Sequence, residues 1–239
     1  MTRTKEINAN KLNVRVYADR KQMGAEAAED VAERIKELLL LKPGFVNIIF
    51  AAAPSQNEFL SSLSKNDSVH WTRVNAFHMD EYIGLAGNAS QTFAHFLKER
   101  LFDKVPFNNV YYINGSTAVN AEQECLRYAE LLKQYPAHIV CMGIGENTHI
   151  AFNDPHTANF NDPLMVKVVT LDEVSRQQQV NDGCFAQIED VPTSAITLTV
   201  PALLKADSIY CIVPGNNKAR AVYQTLNSEV QETFPSTSL

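Results

Sequence analysis

The features that would mark a chain for a membrane, for nucleic acid or for secretion are missing here. No apolar stretch approaches the ~18 residues needed to span a bilayer. The opening Met-Thr-Arg-Thr-Lys-Glu has no apolar core, so no secretory leader is expected. Lysine and arginine form no run, and 27 acidic residues outnumber 21 basic ones for a formal charge of −6. That balance gives no electrostatic footprint for nucleic acid. Internal repeats, low-complexity tracts and Gly/Ser linkers are absent, so one domain over residues 1–239 is expected. Cysteine is sparse and forms no Cys-x-x-Cys pair: Cys125, Cys141, Cys184 and Cys211 are expected as free thiols in a reducing cytoplasm. Cys184 alone adjoins a turn-like stretch, Asn181-Asp182-Gly183-Cys184-Phe185, and stays open as a pocket residue. What remains is ordinary globular composition, 45% apolar and 20% charged. Length and charge are compatible with a monomer or a homo-oligomer.

Short apolar runs alternate with longer helical patterns. Residues 12–17 alternate at period two, as in a strand. Asp19 caps a helix over 20–41, with Met23, Ala27, Val31, Ile35, Leu38 and Leu39 at spacings of one to four. Strands are expected at 45–53, 74–79, 110–113, 138–143, 165–171, 196–200 and 208–213. Helices are expected at 54–64, from a Ser90 cap to 102, at 121–135, after Pro201, and at 217–226. This order argues for a doubly wound, mostly parallel sheet with helices on both faces, a Rossmann-like three-layer α/β/α fold. In such sheets the ligand lies beyond the carboxyl ends of the strands. The places to search are therefore the residues just after Ala53, Met79, Gly145 and Val213. The polar, aperiodic 153–163 segment reads as a functional loop.

Three of these places carry chemistry. After the third strand comes His78-Met79-Asp80-Glu81-Tyr82. Adjacent carboxylates on an extended chain point in different directions, so one of the two faces a given substrate atom. An aspartate there, partly desolvated, can take a proton from carbon; the plain alternative is a solvated Asp-Glu pair in a loop. The strand ending near Met142 leads into Gly143-Ile144-Gly145-Glu146-Asn147-Thr148-His149-Ile150-Ala151-Phe152-Asn153-Asp154-Pro155. Its glycines allow close backbone approach. His149 can exchange protons near neutrality, and Asp154 can orient the imidazole. Gly-x-Gly alone is not the dinucleotide fingerprint, and a lone histidine in a polar loop is the alternative. After the last strand comes Pro214-Gly215-Asn216-Asn217-Lys218-Ala219. Gly215 turns the chain, Asn216 or Asn217 caps a helix, and Lys218 near that helix start points to a bound phosphate; a solvated lysine is the alternative. After Ala53, Ser55 and a helix start can also meet an anion. His70, His78, His95, His138 and His156 read as structural or surface residues.

Taken together, these segments resemble the glucosamine-6-phosphate deaminase/isomerase family, which is similar in fold to the 6-phosphogluconolactonases. Phe77-His78-Met79-Asp80-Glu81-Tyr82-Ile83-Gly84-Leu85 is close to the family's Met-Asp-Glu-Tyr-x-Gly-Leu block. The 143–155 segment resembles its Gly-x-Gly-x-Asp-Gly-His-Ile-Ala-Phe-Asn-Glu-Pro block, and 198–219 fits a later strand with its phosphate-side lysine. The resemblance spans nearly the whole chain. It implies an aldose–ketose isomerisation coupled to loss of ammonia. Asp80 would move the C2 proton to C1, with Glu81 supporting the pocket. His149 would assist ring opening, with Asp154 and Asn147 around it. A small-molecule sugar phosphate would be the partner, and no metal or other cofactor is implied.

Departures from the family pattern are concentrated at the expected site. Asn147 stands where the deaminases carry Asp, so the support of His149 loses a charge; the galacto-specific branch resembles this Asn pattern. Thr148 replaces a Gly, and Asp154 replaces a Glu. Ala51-Ala52-Ala53-Pro54 replaces a Gly-Gly-Ser/Thr-Pro phosphate loop, leaving Ala53, Ser55, Gly145 and Lys218 as the expected phosphate-side residues. The family's phosphate-side arginine aligns near Gly183, and Arg176 is a candidate replacement. The alternatives are a lactonase-like hydrolase, another sugar-phosphate isomerase, or a non-catalytic sugar-phosphate sensor.

Overall fold

The computed structural model describes residues 5–9, 11–41, 43–116 and 120–239; Met1–Thr4, part of the segment read for a leader, lie outside them. The chain opens with an antiparallel hairpin of β1 (Lys5–Ala9) and β2 (Leu12–Val16). Helix α1 (Arg20–Leu41) follows, with Asp19 Oδ1 accepting from Gln22 N at 2.8 Å. Next come β3 (Val46–Phe50), a 3-10 turn at Pro54–Gln56, α2 (Asn57–Leu63) and β4 (Val74–His78). Then follow β5 (Asp80–Tyr82), α3 (Phe93–Leu97), β6 (Asn109–Tyr111), α4 (Ala121–Gln134) and β7 (Ile139–Met142). The last part holds β8 (Val166–Thr170), α5 (Glu173–Asn181), β9 (Ser194–Leu198), α6 (Val200–Leu204), β10 (Ser208–Cys211) and α7 (Ala219–Asn227).

Five of the strands pair in parallel in the order β10-β7-β3-β4-β6. β3, β4 and β7 are buried throughout, as parallel strands covered on both faces must be. Alternate side chains feed two cores. Ile48, Phe50, Ala76 and Cys141 pack with α1 and α2 through Ile35, Leu38, Phe59 and Leu60. Ile49, Phe77, Val140 and Met142 pack with α4, α6 and α7 through Tyr128, Leu132, Leu203 and Ala221. Each of the isoleucine, leucine, valine, phenylalanine and methionine side chains among them contributes roughly 1.5–3 kcal/mol on burial. This is the expected three-layer arrangement.

The expected strands at 165–171 and 196–200 do not join that sheet. β8 and β9 pair antiparallel with each other, and β9 with β5, as a separate three-stranded sheet. β8, at the edge of that sheet, buries Val166 and Val169 on opposite faces and exposes Val168 and Thr170. Met79 is the pivot. The chain leaves the parallel sheet at His78, Met79 O accepts from Leu198 N at 2.8 Å, and the chain re-pairs at Asp80.

Three caps differ from expectation. Thr92, not Ser90, starts α3, its side chain accepting from His95 N at 3.2 Å. Gly215, at φ +96°, makes the turn before Lys218, so neither Asn216 nor Asn217 caps that helix by a side chain. α5 has no counterpart among the expected helices; Asp172 caps it, accepting from Val174 N at 2.7 Å.

Candidate active site

The four strand-end segments singled out from the sequence converge on one cavity. Ala53 and Ser55 line it after β3, Asp80 after β4, Gly145 and His149 after β7, and Lys218 after β10. This is the crevice at the carboxyl end of a parallel sheet.

Asp80 and Glu81 divide as alternate strand residues do. Asp80 turns to the cavity and is 7% exposed. Burial, with the nearby charge of Glu81, holds its carboxyl well above the ordinary aspartate range. Glu81 does not line the cavity. Its Oε1 accepts from Tyr82 N and Phe93 N, both at 3.0 Å, and its Oε2 from Ala94 N at 2.9 Å. Burial raises it to about 7 against the pull of those three amides. These bonds tie Glu81, expected to support the pocket, to the start of α3, where Phe93 stacks on Phe152 (5.5 Å, 23°) in the apolar wall.

His149 is held by its neighbours' acceptors. Its Nδ1 lies 2.7 Å from Asn147 Oδ1, 2.9 Å from Ser175 Oγ and 3.3 Å from Asp154 Oδ1. Asn147 Nδ2 donates to Asp154 Oδ1 at 3.1 Å, which fixes its Oδ1 toward the ring. Ser175 Oγ donates to Asp154 Oδ1, and Asp172 N donates to its Oδ2 at 3.0 Å. The proton is therefore assigned to Nδ1, leaving Nε2 as the acceptor. Burial alone would raise Asp154, but the hydrogen bonds and charge of His149, with those from Ser175 and Asp172, carry it below the usual carboxylate range. Asp154 and Asn147 do not touch the cavity; they act behind the ring.

Lys218 is 4% exposed and borders the cavity; burial lowers its pKa, while Asp182 and Glu146 oppose that. Arg176 is not brought to the site. Its guanidinium donates to the carbonyls of Ile188 (2.6 Å) and Val191 (3.0 and 3.2 Å), bracing the turn before β9. The arginine that does border the cavity is Arg20, at the start of α1, and α5 adds Gln178, Gln179 and, just after its end, Asp182. None of these four was expected. Cys184 borders a separate depression with Leu85 and Phe185, and burial raises its thiol. Burial likewise raises Cys125 to about 11 and Cys211 to about 12. Among the described residues, no group of three His, Cys, Asp or Glu is arranged to hold a metal, and no helix is long and apolar enough to cross a membrane.

Comparison with known proteins places this geometry. Residues 18–239 match the family described as glucosamine-6-phosphate isomerases/6-phosphogluconolactonase. The chain belongs to that family. A glucosamine-6-phosphate deaminase of Bacillus cereus (strain B4264) is 36% identical over 90% of this chain and 79% of its own. One from Listeria monocytogenes serotype 4a (strain HCC23) is 33% identical over 94% and 91%. A solved monomeric glucosamine-6-phosphate deaminase superposes with a TM-score of 0.82 at 27% identity, covering 92% of this chain and 89% of its own. A Shewanella baltica 6-phosphogluconolactonase, at 16% identity and TM-score 0.74 over 92% and 88%, shares the fold. The chain is thus an enzyme of this family.

Against that family background, two departures take on physical form. The charge missing at Asn147 is supplied by Asp154, 3.3 Å from Nδ1, with the Asn147 carbonyl closer still. Thr148, in place of glycine, stands at φ +70°, a strained conformation for a β-branched residue. Its carbonyl accepts from Ser236 N at 2.9 Å and its hydroxyl donates to Asn147 O at 2.5 Å, which pins the loop. Gly145 is required by the ring: a Cβ there would lie 2.1–2.3 Å from three atoms of the His149 imidazole. Gly145→Ala should push the imidazole off Asn147 and Asp154 and lower kcat by about a hundredfold, with the far-ultraviolet dichroism retained. Activity within threefold of wild type would refute this role for Gly145.

Proposed function

We propose that this protein converts a hexosamine 6-phosphate, of the gluco or galacto series, to the ketose 6-phosphate and ammonia. The observation that supports it best is the pairing, in one cavity, of a desolvated aspartate with a histidine held by a buried carboxylate. His149 Nε2 takes the proton of the anomeric hydroxyl and returns one to the ring oxygen as that C–O bond breaks, giving the open aldehyde. Asp80 removes the proton from C2, and the electron pair of that C–H bond forms the C1–C2 double bond of an enolamine as a proton lost by the substrate's ammonium moves to the aldehyde oxygen. Asp80 then returns the proton to C1, leaving an iminium at C2. Water adds to that carbon and ammonia leaves, which yields the ketone. The substrate's ammonium favours the ionised form of Asp80 that this base needs. Ser55 and Lys218, which line the cavity, would meet the phosphate, and Arg20, which also lines it, would do so in place of Arg176. Free, high-pKa thiols suit a cytoplasmic enzyme.

Incubation with glucosamine 6-phosphate and galactosamine 6-phosphate, separately, tests the reading. Ammonia and ketose phosphate should form in equal amounts from one of them. No release from either, with the melting temperature still raised by the sugar, would replace the enzyme by a sensor.

A further inference from the structure

Gln56 follows the cavity-lining Ser55, is 1% exposed, and has partners on one side of its carboxamide only. Its Nε2 donates to Ser55 Oγ at 3.1 Å and to the Ile212 carbonyl at 3.2 Å. Its Oε1 is buried and has no partner among the described residues. A carbonyl only accepts, so the nitrogen must face Ile212, and the planar group then sends its other N–H to Ser55. Turned over, the side chain would set Oε1 against Ile212 O, acceptor against acceptor. An orphaned buried carbonyl costs stability, and a methionine of similar length would fill the space without one. What the glutamine offers that methionine does not is its pair of N–H donors.

The consequence falls on the Ser55 hydroxyl. Its oxygen accepts from Gln56, and Nε2, a donor only, cannot take the hydroxyl proton in return. No other group accepts that proton among the described residues, so it is left to point into the cavity that Ser55 lines. The Ala53 and Ser55 amides of the same turn have no backbone acceptor among the described residues, so the donors of this turn are unspent. Gly143 packs on the pair: a Cβ there would stand 3.1 Å from Gln56 Nε2 and 3.4 Å from Ser55 Oγ. One carboxamide thus links the chain after β3 to the chain after β10, with the glycine after β7 against it.

We propose that Gln56 is a positioning residue for anion capture: by donating to Ser55 Oγ it fixes that hydroxyl as a hydrogen-bond donor to the phosphoryl group of the ligand. Without it the hydroxyl proton is free to turn away, which leaves the oxygen lone pairs facing a group that only accepts. The inference rests on the proposed hexosamine 6-phosphate reading for the phosphoryl group, but not for the reaction at C1 and C2.

Inorganic phosphate, titrated calorimetrically into wild type and variants, tests this. Ser55→Ala should weaken phosphate about tenfold, the loss of one hydrogen bond to a charged group. Gln56→Met should weaken it about fivefold. Its melting temperature should stay within a few degrees of wild type, because the orphaned carbonyl goes as the bond to Ile212 is lost. The double variant Ser55→Ala/Gln56→Met should match Ser55→Ala, since Gln56 acts through that hydroxyl. Gln56→Leu provides the same comparison should Gln56→Met melt low. On whichever hexosamine 6-phosphate releases ammonia, Gln56→Met should raise KM about fivefold and change kcat far less. Unchanged phosphate binding in Gln56→Met and Gln56→Leu would overturn the inference. So would a double variant weakened by the product of the two effects, about fiftyfold, or a wild type that binds no phosphate. Ammonia from neither amino sugar would instead sink the reaction reading, and the phosphate cycle would still decide the role of Gln56.

Discussion

Asp80→Asn should abolish turnover and, at neutral pH, raise the melting temperature. An amide cannot take a proton from C2, and a positioned base contributes about 10²–10⁴ in rate, so a loss of at least about a thousandfold is expected. The stability gain has the same physical origin. Burial, with the charge of Glu81, raises the folded-state pKa of Asp80 above its unfolded value. Below that unfolded value, near 4, both states are protonated and no penalty exists. Between the two values the unfolded chain loses its proton and the folded one keeps it, so folding stability falls as pH rises through this window. Asparagine does not titrate and escapes the loss. The variant should therefore melt with wild type near pH 4 and above it at pH 8, by on the order of a few degrees for a chain of this size. Wild-type activity should rise with pH through the raised pKa. An Asp80→Asn protein that keeps its activity would dismiss Asp80 as the base. One that melts below wild type at pH 8 would mean that the carboxylate is stabilised by partners rather than strained by burial. A costly buried group retained at the mouth of the sheet is what a trade of stability for function looks like.

The fold was legible wherever packing governs residue choice. The α1 stripe and the apolar runs of β3, β4 and β7 announce their elements because each must bury a face, and their ends locate the cavity. What was illegible has a common cause. α5 has two apolar residues in nine, Val174 and Val180, and its buried positions are Ser175, Gln178 and Gln179. A helix that turns a polar face to a site carries no hydrophobic period to read. Its one signal was the capping Asp172 followed by Glu173. Arg20 was hidden for a different reason: a first-turn arginine on an amphipathic helix reads as solvated, and only the pairing of α1 with α2 through Glu58 brings it to the cavity. Arg176 failed in the opposite sense. Residue type and neighbourhood suited an anion, but the helix turns its guanidinium toward the carbonyls of Ile188 and Val191. β5 was short enough to pass as a loop, and its register against β9 is what separates Asp80 from Glu81.

Asp154→Asn should damage activity and stability together, the reverse of Asp80→Asn on the second count. Asp154 is fully buried and receives Asn147 Nδ2, Ser175 Oγ and Asp172 N, with His149 Nδ1 at 3.3 Å. An asparagine offers one acceptor oxygen and one donor group to these donors. With its amide nitrogen toward Asp172 it leaves that N–H unpaired; turned the other way, it drives Ser175 and Asn147 to rearrange. If Asn147 flips, its amide nitrogen faces Nδ1, and the ring must then carry its proton on Nε2. The acceptor facing the cavity is lost, the wrong-tautomer failure known for orienting carboxylates. Activity should fall by about 10²–10³. Stability should fall by on the order of 2–4 kcal/mol, since donors to a buried charge are left unmatched. Asp154 has a folded pKa held below its unfolded value. Its contribution is therefore complete above that unfolded value and lost as pH falls through the folded one. The gap between wild type and Asp154→Asn should be full at pH 7 and shrink in strong acid, whereas the Asp80→Asn gap opens from pH 4 upward. Two carboxylates pushed to opposite ends of the scale by their surroundings are how one pocket assigns a base and an orienting anion. Parallel melts of the two variants from pH 3 to 8 decide it: curves that move in the same direction with pH would contradict that assignment.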